Sequence, residues 1–235
     1  QTMHLLMNFR QRDRPECQRE ASFWSKRSPS DQVGVRMAEE SRRVLAIYGS
    51  PRRRGNSALL LDECLRGISQ WTTATEKVVL RDLRISPCLE IYGCAKDGRC
   101  VIKDDFQQVA DKLVEADLIL LASPIMFYTL SAHTVAFMDR CQSFWVKRHW
   151  LKLPINPQKP HRKGVFISVG ATHGKRLFEG ALLTARYFFD ALDVKMHASL
   201  CFGGLDYEGD VLKHPEHLQQ AYELGLALRE AWQGI

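Results

Sequence analysis

The sequence predicts an α/β fold, a doubly wound sheet of five parallel strands in the order 2-1-3-4-5 with helices on both faces. Three observations lead there. From Val44 onward, short apolar runs alternate with helical stripes. The runs are apolar on both faces, as strands buried on both sides of a parallel sheet are. The number of strand–helix units suits one open sheet in a chain of this length.

The elements follow in order. Val44–Tyr48 is an apolar run that stops at Gly49-Ser50-Pro51, so it reads as the first strand. Ser57–Ile68 carries apolar residues at 59, 60, 61, 64, 65 and 68, which is a helical stripe. Lys77–Leu80 is the second strand. Phe106–Ala116 is a helix opened by Asp104-Asp105, whose charges suit the positive end of a helix. Leu118–Ala122 is the third strand and Leu130–Phe144 the helix after it. Gly164–Val169, Glu179–Leu192, Val194–Leu200 and Pro215–Trp232 then read as strand, helix, strand and closing helix. No internal repeat is visible. Residues 1–40 mix Arg, Gln, Ser and Glu without period and end near Ser28-Pro29-Ser30-Asp31. They are expected to be a weakly ordered N-terminal extension, with 41–235 as the folded domain.

Composition bounds the function. The chain has 235 residues, 45% apolar and 26% charged, which excludes collagen-like, coiled-coil and wholly disordered classes. The net charge is +6, but residues 1–43 hold nine Lys/Arg against six Asp/Glu and so carry half of it. The rest is too dilute for a phosphate-backbone face, so no nucleic-acid partner is expected. The apolar stretch within Gln1–Phe9 is too short for a secretory signal. The uncharged run Leu118–Met138 is interrupted by Ser123-Pro124 and by several polar residues, so no membrane span is expected. Seven cysteines without a short-range framework argue against a secreted disulfide scaffold and for the cytoplasm.

Sheets of this order bind ligands at the carboxyl ends of the strands, beside the switch between strands 1 and 3. The loops to inspect therefore follow Tyr48, Ala122 and Val169. The first is Gly49-Ser50-Pro51-Arg52-Arg53-Arg54-Gly55-Asn56-Ser57, leading into a helix. A helix start offers unpaired N–H groups and a positive dipole end. Ser50, Asn56 and Ser57 add short donors and Arg52 adds charge, while Gly49 and Gly55 permit close backbone approach. Five residues separate the glycines and Asn56 stands where a P-loop has Lys, so this is no nucleotide P-loop. Without that lysine or a magnesium-binding acid, it points to a terminal monophosphate.

Gly-Ser-Pro-Arg-x-x-Gly-Asn-Ser after a first strand resembles the phosphate loop of the NAD(P)H-dependent FMN reductase family, within the flavodoxin-like superfamily. The resemblance runs from about Val44 to the end. It implies FMN as cofactor and NADH or NADPH as electron donor. It implies that the segment Ser123-Pro124-Ile125-Met126-Phe127-Tyr128 lies along the flavin ring, followed by a helix ending in Asp139-Arg140. Met126 takes the usual aromatic position, and Phe127 or Tyr128 remains available to stack. The loop Gly170-Ala171-Thr172-His173-Gly174-Lys175 is expected to line the pyrimidine side, with Gly170, Thr172 and His173 in contact. His173 and Lys175 are candidates to stabilise negative charge on the reduced ring; the alternative is a solvated loop. A homodimer or higher homo-oligomer with the site near the interface is also implied.

Cys88-Leu89-Glu90-Ile91-Tyr92-Gly93-Cys94, followed by Cys100 and Asp104-Asp105, resembles the iron–sulfur flavoprotein branch of that family. Its four-cysteine pattern keeps three members here, with Ile91 in the second position. A cubane cluster takes four thiolates, so no metal is expected and the segment reads as a loop with free thiols. The basic run between Val146 and Lys163 holds six Lys/Arg and no acid. It suits NADPH phosphates or an acidic partner, or else is a solvated loop. The leading functional expectation is an FMN-dependent NAD(P)H oxidoreductase. Hydride would pass from the nicotinamide through FMN to a flavin, quinone or other small-molecule electron acceptor. The alternatives are a flavodoxin-like electron carrier, usually far more acidic, or a degenerate flavin fold acting as an interaction protein.

Overall fold

The computed structural model describes residues 42–232. The extension predicted over 1–40 lies outside the described residues. Five parallel strands form one sheet in the order β2-β1-β3-β4-β5. They are β1 (Val44–Tyr48), β2 (Thr75–Val79), β3 (Leu118–Pro124), β4 (Lys163–Val169) and β5 (Lys195–Phe202). The helices are α1 (Asn56–Ile68), α2 (Phe106–Glu115), α3 (Ala132–Arg140), α4 (Gln142–Trp145), α5 (Glu179–Ala191) and α6 (Pro215–Ala227).

Period-two alternation divides the core into two layers. Leu45, Ile47, Ile119, Leu121 and Phe166 face one side and pack with Phe106, Leu113, Phe137 and Phe189 of α2, α3 and α5. Val44, Ala46, Leu118, Leu120, Val165 and Ile167 face the other and meet Leu60, Leu61, Cys64 and Ile68 of α1 and Ala221 of α6. α1 and α6 approach backbone to backbone. A Cβ on Gly225 would lie 2.1 Å from the Cys64 carbonyl oxygen, and one on Gly67 2.2 Å from that of Tyr222.

The interior strands match the sequence expectation closely, while the edges and one helix differ. β2 begins at Thr75 rather than Lys77, and β5 ends at Phe202 rather than Leu200. Both are edge strands whose polar residues break the apolar runs. The expected helix Leu130–Phe144 divides at Cys141 and continues as a π turn over Val146–Trp150. It starts late because Ser131 is extended and caps Thr134 N. The final helix stops at Ala227, with a separate 3-10 turn over Glu230–Trp232.

Much of the basic run is occupied structurally. Arg148 pairs with Asp190 and Asp193, and Lys159 with Asp117. Arg162 is buried and donates to the carbonyls of Leu113, Ala116 and Leu192 at the ends of α2 and α5. Burial pushes its pKa down to about 10, still cationic at neutral pH. Its charge thus meets the negative ends of two helices. Among the described residues, no helix is long and apolar enough to cross a membrane.

Candidate functional site

The loops after β1, β3 and β4 leave adjacent strands at one edge of the sheet. Tyr48 is level with Ala122, and Pro124 with Val169. Gly49 N donates to the Ala122 carbonyl at 2.7 Å. Beneath Gly49 lies a buried hydroxyl cluster. Ser131 Oγ donates to the Gly49 carbonyl and lies 2.9 Å from Thr134 Oγ1, which donates to Ser123 Oγ at 3.3 Å. A Cβ on Gly49 would sit 2.0 Å from Thr134 Oγ1, so only glycine fits. These hydroxyls fasten the first loop to the start of α3.

The rest of the first loop forms a small cradle. Gly55 is extended at the N-cap of α1 and brings no capping side chain. The first N–H groups of α1 therefore have no intrahelical partner. A Cβ on Gly55 would lie 2.4 Å from Ser50 Oγ. Ser50 Oγ accepts from Arg52 N at 3.1 Å. Ser57 Oγ is buried and has no hydrogen-bond partner among the described residues. A phosphate in the cradle would supply that missing partner and would meet the positive end of α1. Ser50, Gly55 and Ser57 thus fit the phosphate of FMN.

Arg52 and Asn56, expected among the phosphate-binding residues, also reach the segment after β5. Arg52 Nη1 donates to the Asp206 carbonyl at 2.6 Å. Asn56 Nδ2 donates to the Tyr207 carbonyl at 2.9 Å, and its Oδ1 accepts from Val211 N at 3.1 Å. Sequence reasoning missed this segment as a wall of the site. Its signal was Gly203-Gly204 directly after the fifth strand, the same kind of loop that drew attention elsewhere.

The β3 loop is a tight reversal. Ile125 N donates to the Val169 carbonyl at 2.8 Å. Met126 and Thr129 exchange backbone hydrogen bonds of 3.0 and 2.9 Å. Between them, Phe127 and Tyr128 both have positive φ, 49° and 62°, as a type I′ turn demands. Phe127 stands fully exposed at the tip, with Met126 and Tyr128 also exposed. In the β4 loop, Gly170 N donates to the Phe202 carbonyl at 3.0 Å, and the Thr172 carbonyl accepts from Gly204 N at 3.2 Å. A Cβ on Gly204, whose φ is +78°, would lie 2.5 Å from His173 Nε2. The His173 ring therefore lies against that glycine. The structure places Pro124, Ile125, Met126, Phe127, Gly170, Thr172 and His173 at the same end of the sheet as the cradle.

Arg140 anchors the cysteine segment. It is fully buried, forms an ion pair with Asp104 and lies 4.8 Å from the Phe106 ring centroid. Its Nε donates to Cys100 Sγ at 3.2 Å and its Nη atoms to the carbonyls of Ser86 and Ile102 at 3.0 and 3.1 Å. Cys88, Cys94 and Cys100 are half-buried free thiols. Burial raises the Cys94 pKa, with smaller contributions from Cys100 and Cys88, so the three share one neighbourhood. Ile91 is exposed and has no donor atom. Cys88, Cys94 and Cys100 by themselves supply three of the four thiolates that a cubane cluster takes.

The profile of the NADPH-dependent FMN reductases matches residues 42–201. An iron-sulfur flavoprotein of Methanocaldococcus jannaschii is 35% identical over 130 residues, 55% of this chain and 63% of its own. One of Archaeoglobus fulgidus is 32% identical over 98 residues, 42% of this chain and 44% of its own. The chain thus spans under two thirds of the length of these curated relatives. Among solved structures, a flavone reductase aligns with a TM-score of 0.61 at 19% identity, over 82% of this chain and 63% of that one. An NAD(P)H:quinone oxidoreductase from Methanothermobacter marburgensis aligns with a TM-score of 0.61 at 17% identity, over 80% and 98%. At such identities the two structures speak for the fold alone.

Proposed function

The chain belongs to the NADPH-dependent FMN reductase family, and from that premise we propose that it is an FMN-dependent oxidoreductase. It takes hydride from NADH or NADPH and delivers it to a flavin, a quinone or another small acceptor. The observation that carries this reading is the unpartnered Ser57 hydroxyl, buried at an uncapped helix start beside Ser50 and Gly55. Bound FMN supplies the hydride-transfer chemistry.

The chain's own residues bind and orient. Ser50, Ser57 and the N–H groups of α1 hold the phosphate. Arg52 and Asn56 position the 206–211 segment beside it. Met126, Phe127 and Tyr128 offer apolar surface for a flat ring. Lys175 brings positive charge, and His173 a ring able to donate a hydrogen bond, where the reduced ring is anionic. No side-chain nucleophile is needed.

A second copy of the chain covers Phe127, giving a homodimer with the ring site near its interface. A fully exposed aromatic on a strained turn beside the site supports this. The cysteine segment works without a cluster, and its free thiols suit the reducing cytoplasm.

The test is an absorption spectrum of the purified protein, mass analysis of anything released on denaturation, and NAD(P)H oxidation with quinone or flavin acceptors. Flavin bands, released FMN and turnover are expected. Bound flavin without turnover would favour an electron carrier. Protein that takes up no added FMN would overturn the reading.

A further inference from the structure

The start of α6 lies away from the cysteine segment and carries His214, Glu216 and His217. Among the described residues this is the group of three potential metal ligands whose ligand atoms all lie within 4.8 Å of one another. His214 Nδ1 is 3.1 Å from Glu216 Oε1, and His217 Nε2 is 3.8 Å from the same oxygen. A tetrahedral zinc ion, with bonds of about 2.0–2.2 Å, separates its nitrogen and oxygen ligands by roughly 3.3–3.5 Å. The two distances bracket that value, so modest rotations of the half-buried His214 and His217 and of the exposed Glu216 bring all three onto one ion.

The scaffold holds the histidines in place. Pro215 opens the helix, and His217 N donates to the His214 carbonyl at 3.0 Å. The two imidazoles stack at 4.9 Å, and His217 stacks on Phe202 of β5 at 4.0 Å. We propose that His214, Glu216 and His217 form a site for a divalent first-row transition metal ion of the zinc class, with its remaining position open to solvent.

Two forces set the strength of this site. The positive end of α6 opposes a cation, and the Glu216 carboxylate in the same turn offsets it. His217 Nδ1 is buried without a hydrogen-bond partner. When Nε2 binds a metal, the other ring nitrogen carries the proton, and it finds no acceptor here. Missing outer-shell partners typically cost 10–100-fold in affinity, so this site binds that much more weakly than one whose outer shell is complete. Two imidazoles among the three donors favour zinc, copper and nickel over magnesium or calcium. The ion would brace the junction of the last strand and last helix, directly after the segment gripped by Asn56.

The test is an anaerobic Co²⁺ titration of the full-length protein with Cys88, Cys94 and Cys100 replaced by Ser, because thiolates compete for the ion. One equivalent of Co²⁺ is expected, with ligand-field absorption, no thiolate charge-transfer band and displacement by Zn²⁺. His217→Ala and Glu216→Gln are each expected to weaken binding at least tenfold. Glu216→Gln keeps the size of an exposed side chain, so it remains informative if loss of the Phe202 stack unfolds the other variant. No Co²⁺ uptake by the parent, or a Glu216→Gln titration that matches it, would overturn the proposal.

Discussion

A buried hydroxyl without a partner costs a folded protein about 1–3 kcal/mol, and Ser57 carries that cost at the start of α1. Ser57→Ala is therefore expected to leave the thermal midpoint of the FMN-free protein unchanged or higher. The same change is expected to weaken FMN binding about tenfold or more, the loss of one hydrogen bond to a charged group. Calorimetry reads the first effect and a flavin fluorescence titration the second; unaltered FMN affinity would remove Ser57 from the phosphate site. Asp104 presents the opposite case, a carboxylate whose partner is a buried cation. Burial pushes its pKa up, but hydrogen bonds from Arg140 and from the N–H groups of Phe106 and Ser86 outweigh that and hold it below 3.8. With its folded pKa below its unfolded one, this carboxylate stabilises the fold above about pH 4, and that contribution disappears as the pH falls through the folded value. Asp104→Asn is expected to cost about 3–5 kcal/mol at pH 7, because it strands the Arg140 charge. Denaturant unfolding at pH 7 and pH 3 checks both statements: the gap between wild type and variant should narrow in acid.

Elements meet here at positions where a single methyl decides the outcome. α1 and α6 touch through Gly67 and Gly225, with no room for a Cβ on either. Gly225→Ala is expected to destabilise by about 1–3 kcal/mol through overpacking, despite alanine's better helix propensity. A denaturant midpoint equal to wild type would mean the helices can separate at no cost. The same scale separates what the sequence reveals from what it hides. β1, β3 and β4 are legible because both their faces are buried, so hydropathy alone marks them. The edges of β2 and β5 are blurred by Thr75, Glu76, Lys195 and His197, which tolerate exposure there. The break after α3 is illegible because it falls at Cys141, with no glycine or proline nearby to mark it. The cradle of Ser50, Gly55 and Ser57 is readable because it is local, a strand end running into a helix start. The partners of Arg52 and Asn56 lie some 150 residues further along the chain, and no spacing rule connects them.

For the whole molecule, the cysteine segment bears on the iron content. Protein purified anaerobically is expected to hold far fewer than four irons per chain, since the cysteine segment offers three of the four thiolates a cubane cluster takes. Iron and sulfide analysis checks this, and near-stoichiometric cluster content would show that a ligand from elsewhere completes the set. Assembly is read independently by light scattering: a dimer that Phe127→Ser converts to monomer is the expected result. The bond between Asn56 and the 207–211 segment has a consequence in time as well as in space. Val211 leaves the ribosome 155 residues after Asn56, so a nascent chain that stops short of it lacks the wall that Asn56 holds beside the cradle. A site walled on that side must wait until Val211 has been made and the loop between the two residues has closed. A chain truncated before β5 would carry the cradle without the 206–211 wall beside it.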